Sequence, residues 1–241
     1  METLIVGAGE MGRWFGRLVG DPTFADRDPA AAERAADALD GADTLAVEEE
    51  GTFELVCIAV PIPAATEAIA AHGGRAERAI VDVTGVMEPV VAAMAAAAPD
   101  VERASLHPLF SADAAPGNVA VAVEESGPVT AWLRDRLREE GNELVPVEPA
   151  EHDDAMTTVQ GRAHAAVLAF ALAADDVPEG LETPVYEDLR ELVDRITGNT
   201  PRVYADIQDA FDGASDVAEM AQALADADHT GFEALYEDAG R

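Results

Sequence analysis

The stretch Thr3-Leu4-Ile5-Val6-Gly7-Ala8-Gly9-Glu10-Met11-Gly12-Arg13-Trp14-Phe15-Gly16 decides how the rest of the sequence is read. Its four apolar residues read as a buried strand, and the glycines that follow are spaced G-x-G-x-x-G before a helix-like run. Gly7 permits a tight turn out of the strand, Gly9 lets backbone approach a pyrophosphate, and Gly12 lets the helix pack close to the sheet. The helix start would aim unpaired N–H groups and the positive end of its dipole at phosphates. A glycine-rich turn between any strand and helix gives the same spacing, but the position directly after an apolar strand favours the cofactor. The expected cofactor-binding turn comprises Gly7, Gly9, Glu10, Met11 and Gly12.

Outward from this turn, strands alternate with helices. A short second strand, residues 23–26, ends at Asp26, 17 positions after Gly9, where a carboxylate would hold a ribose 2′-hydroxyl. Asp26 therefore favours NAD, while the adjacent Arg27 leaves NADP open. A helix over 30–39 precedes a continuously apolar strand over 53–60, the pattern of a parallel strand buried on both faces. It runs into Pro61-Ile62-Pro63, which places Pro61 near the cofactor. Helices over 64–71, 89–98 and 128–139 and strands over 79–84, 101–106, 119–123 and 143–147 complete a doubly wound parallel sheet of Rossmann type. This dinucleotide-binding domain is expected to span 1–149.

Residues 150–241 read as helices only, a domain for substrate binding and dimerisation. One long helix is expected over 151–174, and its apolar half, Ala163-His164-Ala165-Ala166-Val167-Leu168-Ala169-Phe170-Ala171-Leu172, has to be buried on every side. So short a domain does not bury it alone, which predicts a homodimer through the helical domain. Further helices are expected over 184–196, 201–211 and 214–227.

The 241 residues carry 48 acidic side chains against 15 basic ones, a net charge of −33. Every basic residue is arginine. Such a surface repels nucleic acid and anionic membranes and predicts a cytoplasm of high salt, where cations screen the self-repulsion. The absence of lysine excludes Schiff-base chemistry. Cys57 is a lone thiol in an apolar strand, which suits a reducing compartment and excludes a disulfide framework. A strand beginning at Thr3 leaves no room for a leader peptide, and the longest apolar stretch, 163–174, is too short to span a bilayer. With no HExxH-type spacing, no metal is expected. His72 and His229 read as structural.

The polar groups left to carry chemistry are His107, at the end of a strand, His152, Gln160 and His164 on the first long helix, and Arg195 on the next. With Gly7-Ala8-Gly9-Glu10-Met11-Gly12, the segments Asp82-Val83-Thr84-Gly85-Val86, Leu106-His107-Pro108-Leu109-Phe110, Glu151-His152-Asp153 and Pro201-Arg202-Val203-Tyr204-Ala205-Asp206-Ile207-Gln208 occur in an order that resembles the prephenate dehydrogenase family, most closely its short archaeal form. The resemblance implies NAD(P)-dependent oxidative decarboxylation of prephenate to 4-hydroxyphenylpyruvate in tyrosine biosynthesis. It assigns His107, neutral and near its ordinary pKa, as the base for the ring hydroxyl. Arg195 would hold the dianionic substrate, with His152, Gln160 and His164 lining its side of the site. The family has serine and lysine where this sequence has Gly85 and Met87, and Thr84 is the candidate to supply the missing hydroxyl. Arogenate dehydrogenase is the alternative enzyme, and a non-catalytic dinucleotide-sensing dimer on the same fold is the alternative of another class.

Overall fold

Strand β1 (Thr3–Val6) is buried at every position and pairs in parallel with β2 (Pro22–Ala25) on one side and β4 (Phe53–Ile58) on the other. A strand with neighbours on both edges and packing on both faces has to be apolar throughout, as this one is. Eight strands form one sheet in the order β3-β2-β1-β4-β5-β6-β7-β8. The others are β3 (Asp43–Thr44), β5 (Ala76–Asp82), β6 (Glu102–Pro108), β7 (Asn118–Glu125) and β8 (Glu143–Pro146). Helices α1 (Glu10–Val19), α2 (Pro29–Asp37), α3 (Ala65–His72), α4 (Glu88–Ala97) and α5 (Pro128–Glu139) connect them. This computed structural model describes all 241 residues.

The sheet departs from the all-parallel expectation at one pairing. Strand β7 runs antiparallel to β6, and β8 follows β7 in its direction. The link from β6 to β7, residues 109–117, holds no helix. It is shorter than the dozen or so residues a parallel crossover needs, so the chain can only turn back. Between β7 and β8 the helix α5 restores a parallel crossover.

Alternation along the strands sorts their side chains between two faces. Ala79 and Val81 of β5 and Ala104 and Leu106 of β6 enter the main core with Trp14 and Phe15 of α1 and Leu133 and Leu137 of α5. Ile80, Asp82, Ser105 and His107 occupy the alternate positions, and Asp82 lies in register with Ser105. The sequence Ala-Ser-Leu-His thus commits two polar residues to the opposite face of a buried sheet. Cys57, next to the carboxyl end of β4, is wholly buried in the main core.

The chain divides into two compact units, Met1–Asp153 and Asp154–Arg241. The division falls within helix α6 (Pro149–Met156). The second unit contains α7 (Ala163–Ala173), α8 (Pro184–Thr197), α9 (Pro201–Ala210), α10 (Ala214–Asp226) and α11 (His229–Ala239). The single long helix expected over 151–174 is interrupted by a π-helical turn, Thr157–Arg162. Its cause is local. A Cβ on Gly161 would stand 2.5 Å from the carbonyl oxygen of Phe211, and Gln208 Nε2 donates to the Gly161 carbonyl at 2.9 Å. Close approach and a competing donor draw that peptide out of the α ladder.

Helix α7 packs against α8 and α10, but no α7 residue is buried and Leu172 is 89% exposed. Its apolar surface is therefore left uncovered within one chain, because two neighbouring helices cannot enclose a third. No helix is long and apolar enough to cross a membrane.

Candidate active site

The glycine turn has the shape of a phosphate cradle. Gly7 has φ +104°, and a Cβ there would stand 2.2 Å from the Ala59 carbonyl oxygen. A Cβ on Gly12 would stand 2.0 Å from the Gly7 carbonyl oxygen, so helix α1 rests directly on the turn. Nothing lies within 4 Å of the position a Cβ on Gly9 would take. Gly9 is the N-cap of α1 and supplies no side-chain cap, so the first-turn N–H groups face an open side. A pyrophosphate fits this arrangement. Glu10 opens the helix, Met11 is half-buried against the core, and Pro61 leads a short 3-10 turn after β4.

Asp26 follows β2, and its carboxylate accepts the Ala8 N–H at 2.8 Å and the Asp28 N–H at 2.9 Å. It ties the glycine turn to the end of β2 and places negative charge where a 2′-phosphate would have to sit. The Arg27 guanidinium reaches away to Glu67 at 3.4 Å, with both side chains largely exposed.

The second cluster lies at the carboxyl ends of β5 and β6. His107 Nδ1 is 2.8 Å from His152 Nε2, with the rings edge to face at 74°. His152 Nδ1 is 2.7 Å from Asp153 Oδ1. The Asp153 carboxylate also accepts the backbone N–H groups of Met87 and Glu88, each at 2.9 Å. These open helix α4, so the carboxylate is held at a helix N-terminus. His107 is 8% exposed and His152 only 2%.

The hydrogen bonds assign the ring protons. The carboxylate can only accept, so His152 carries its proton on Nδ1 and offers the Nε2 lone pair. His107 then donates from Nδ1 and keeps its own lone pair on Nε2. Asp153 is held below the usual carboxylate range by the His152 and backbone donors, which outweigh its partial burial. His107 is pushed down to about 3, first by burial and then by His152, with Asp153 opposing. The ring is neutral near pH 7 as expected, but it is far from its ordinary pKa. Enclosure of the strand end, which has no local signature in the residues around His107, makes the difference.

Gly85 sits over the other side of this ring. It has φ +95°, and a Cβ there would stand 3.3 Å from His107 Nε2. A serine at this turn would take a backbone conformation that L-residues rarely adopt, against His107 Nε2 itself. The Thr84 hydroxyl is donated to Asp82 Oδ2 at 2.7 Å, and the Thr84 N–H joins it at 2.9 Å. Asp82 is wholly buried, and burial raises its carboxyl to about 6 against the pull of Ser105, Thr84 and His152. Its Oδ1 and the Ser105 hydroxyl make no aligned hydrogen bond.

His107 and His152 are thus brought together, with both nitrogens of His152 engaged. The remaining expected residues belong to the helical unit. Gln160 lies in the π turn, the His164 ring stands edge to face with Tyr204 at 4.9 Å, and Arg195 is exposed in the last turn of α8. Asp153 is the residue that reading by sequence missed, although a carboxylate directly after a candidate histidine was a usable signal.

Comparison with known proteins follows the same line. The chain is 28% identical over 211 residues to a 4-amino-4-deoxyprephenate dehydrogenase of Streptomyces pristinaespiralis, covering 80% of this chain and 71% of that one. It is 26% identical over 227 residues to a probable arogenate/prephenate dehydrogenase of Methanocaldococcus jannaschii, covering 86% of this chain and 51% of that protein. The chain thus spans about half the length of the second relative. Among solved structures, prephenate dehydrogenase from Aquifex aeolicus in complex with hydroxyphenyl propionate and NAD+ superposes with a TM-score of 0.67 at 18% identity, over 92% of this chain and 87% of that one. In sequence and in fold, this chain is similar to the prephenate-type dehydrogenases. Synechocystis arogenate dehydrogenase superposes with a TM-score of 0.59 at 17% identity, over 100% of this chain and 98% of that one. No family model matches the sequence.

Proposed function

We propose that this chain is an NAD-dependent prephenate dehydrogenase, converting prephenate to 4-hydroxyphenylpyruvate and carbon dioxide. The observation that carries the reading is the buried His107 ring, fixed by His152 and Asp153 with its lone pair on Nε2. NAD, when bound, accepts hydride from the carbinol carbon of the substrate. His107 Nε2 takes the proton of the 4-hydroxyl as that carbon is oxidised. The ring then gains aromaticity by losing its carboxylate, which requires little more from the protein than position. The cradle at Gly7 to Gly12 holds the pyrophosphate, and the Asp26 carboxylate disfavours the phosphate of NADP.

Arg195 is assigned the substrate carboxylates, since a dianion in so acidic a protein needs a local cation that can bond in bidentate fashion. Gln160 and His164 are assigned to the substrate side, and Thr84 to the turn that carries Gly85. In this reading residues 1–149 serve the cofactor and 150–241 serve substrate binding and dimerisation. The exposed apolar surface of α7 supports a homodimer. The charge of −33 supports a cytoplasm rich in salt.

Two neighbouring substrates stay in the test. The names of the relatives point to arogenate and to 4-amino-4-deoxyprephenate, in which an amine replaces the 4-hydroxyl. Reduced cofactor formed from each of the three substrates in molar salt separates them, and prephenate is expected to give the highest kcat/KM. His107→Asn should lower kcat by about 100-fold or more. Cofactor binding with no turnover of any of the three would favour the sensing dimer.

A further inference from the structure

A neutral imidazole as deeply buried as His107 can accept a proton in the transition state, but it holds an imidazolium charge badly. The chain beyond it offers a better place. His107 Nδ1 already points its proton at His152 Nε2 across 2.8 Å. His152 is closed to bulk water and is bonded through Nδ1 to a carboxylate. That carboxylate is fixed by two backbone N–H groups at the start of α4 and stays ionised.

Building on the prephenate reading, we propose that the substrate proton is stored one ring deeper: His107 passes its Nδ1 proton to His152, with Asp153 holding the charge, and recovers it as the aromatic product forms. The steps balance. The hydroxyl proton forms a bond to His107 Nε2 while the Nδ1–H bond of the same ring breaks. That second proton bonds to His152 Nε2. His107 is then still neutral, and His152 is an imidazolium whose Nδ1–H faces the Asp153 carboxylate. When the bond to the departing carboxylate breaks, its electron pair moves through the ring to the oxygen. The phenolate takes the proton from His107 Nε2, and His152 returns its proton to His107 Nδ1. The reaction itself neither consumes nor releases a proton at the histidines, so a closed store serves it better than an exit to solvent.

His152 and Asp153 act through His107 and are positioning residues. The charged and titratable groups facing the pair are Asp153 on α6 and Asp82 at the end of β5. Both are acids, and both would face an imidazolium on His152. A positive charge left on His107 would lie one ring farther from the Asp153 carboxylate, beside a second imidazole.

The deciding experiment reads the histidine nitrogens directly. Protein labelled with 15N in histidine, folded in molar salt, is titrated from pH 8 downward by NMR, with His107→Asn and His152→Gln as assignment variants. The proton is expected to appear on His152 first, with His107 remaining a neutral Nδ1–H tautomer. Protonation of His107 before His152, or an Nε2–H tautomer on resting His107, overturns the proposal whether or not prephenate is turned over. In turnover, His152→Gln keeps an acceptor for His107 Nδ1–H but cannot take a proton. It is expected to lower kcat by about 100-fold and to turn a bowed dependence of rate on deuterium fraction into a straight line. A straight line already in the wild type would also overturn it. A wild type that shows the expected tautomers but does not oxidise prephenate would leave the proton store standing and remove the assigned substrate.

Discussion

Replacing Asp82 by asparagine should stabilise the protein at pH 8 and leave it unchanged near pH 4. Asp82 is wholly buried, and its carboxyl is raised from the ordinary 3.8 to about 6. Folding at neutral pH therefore buries a charge that the unfolded chain carries at no cost. The penalty is absent below the unfolded value of 3.8, grows as pH rises, and is complete above about 6. At about 1.4 kcal/mol for each pH unit, a rise of this size corresponds to about 3 kcal/mol at most. Asparagine keeps the shape: its Oδ1 can accept both the hydroxyl and the N–H of Thr84. Its Nδ2 can meet the Ser105 hydroxyl, which has no aligned partner in the native protein. For a unit of roughly 150 residues, such a gain raises Tm by about 6–12 °C. The assay is calorimetry of both proteins at pH 8 and pH 4 in one fixed molar salt. A variant less stable than the wild type at pH 8, or a gain of equal size at both pH values, refutes the reasoning.

Two other tests probe the cradle and the uncovered helix. Gly9→Ala should leave Tm unchanged, because its Cβ enters open space, yet weaken NAD binding at least tenfold by calorimetric titration. Gly12→Ala, whose Cβ would stand 2.0 Å from the Gly7 carbonyl oxygen, should weaken binding and also cost about 1–3 kcal/mol of stability. Equal NAD affinity in Gly9→Ala and wild type would remove the cradle. Leu172→Arg places a charge on the exposed apolar surface of α7 and should shift sedimentation from dimer to monomer in molar salt. An unchanged sedimentation coefficient would remove α7 from the interface.

The parts of the fold that sequence conveyed are those with local causes. A four-residue apolar strand followed by Gly7, Gly9 and Gly12 leaves little choice of turn, and the strand over β4 is apolar without interruption. Strand β3 escaped notice because Asp43 and Thr44 are both exposed and carry no pattern. The reversal of β7 is invisible in its own residues, since an apolar run has no direction; it lies in the short link before it. Helix α11 went unread because it has no buried residue, so no apolar stripe marks it. The π turn depends on Phe211 and Gln208, some fifty residues beyond Gly161. The same holds at the candidate site. His107 and His152 could each be picked out as ring nitrogens suited to the chemistry, but their order could not. That order is fixed by Asp153 reaching back to the N–H groups of Met87 and Glu88, a contact between distant segments. The pKa of His107 follows from enclosure by those same segments.

Cys57 gives this protein an internal clock for its own opening. The thiol lies near the carboxyl end of β4, between β1 and β5, and burial pushes its pKa well above the ordinary value. It is the chain's single cysteine, so a thiol-reactive dye reports one event. Labelling requires the middle of the sheet to part, and its rate measures how often that happens under native conditions. The helical unit holds no thiol, so its fraying is silent in the same experiment. An unmodified chain can therefore separate the lifetime of the sheet from that of the helical unit.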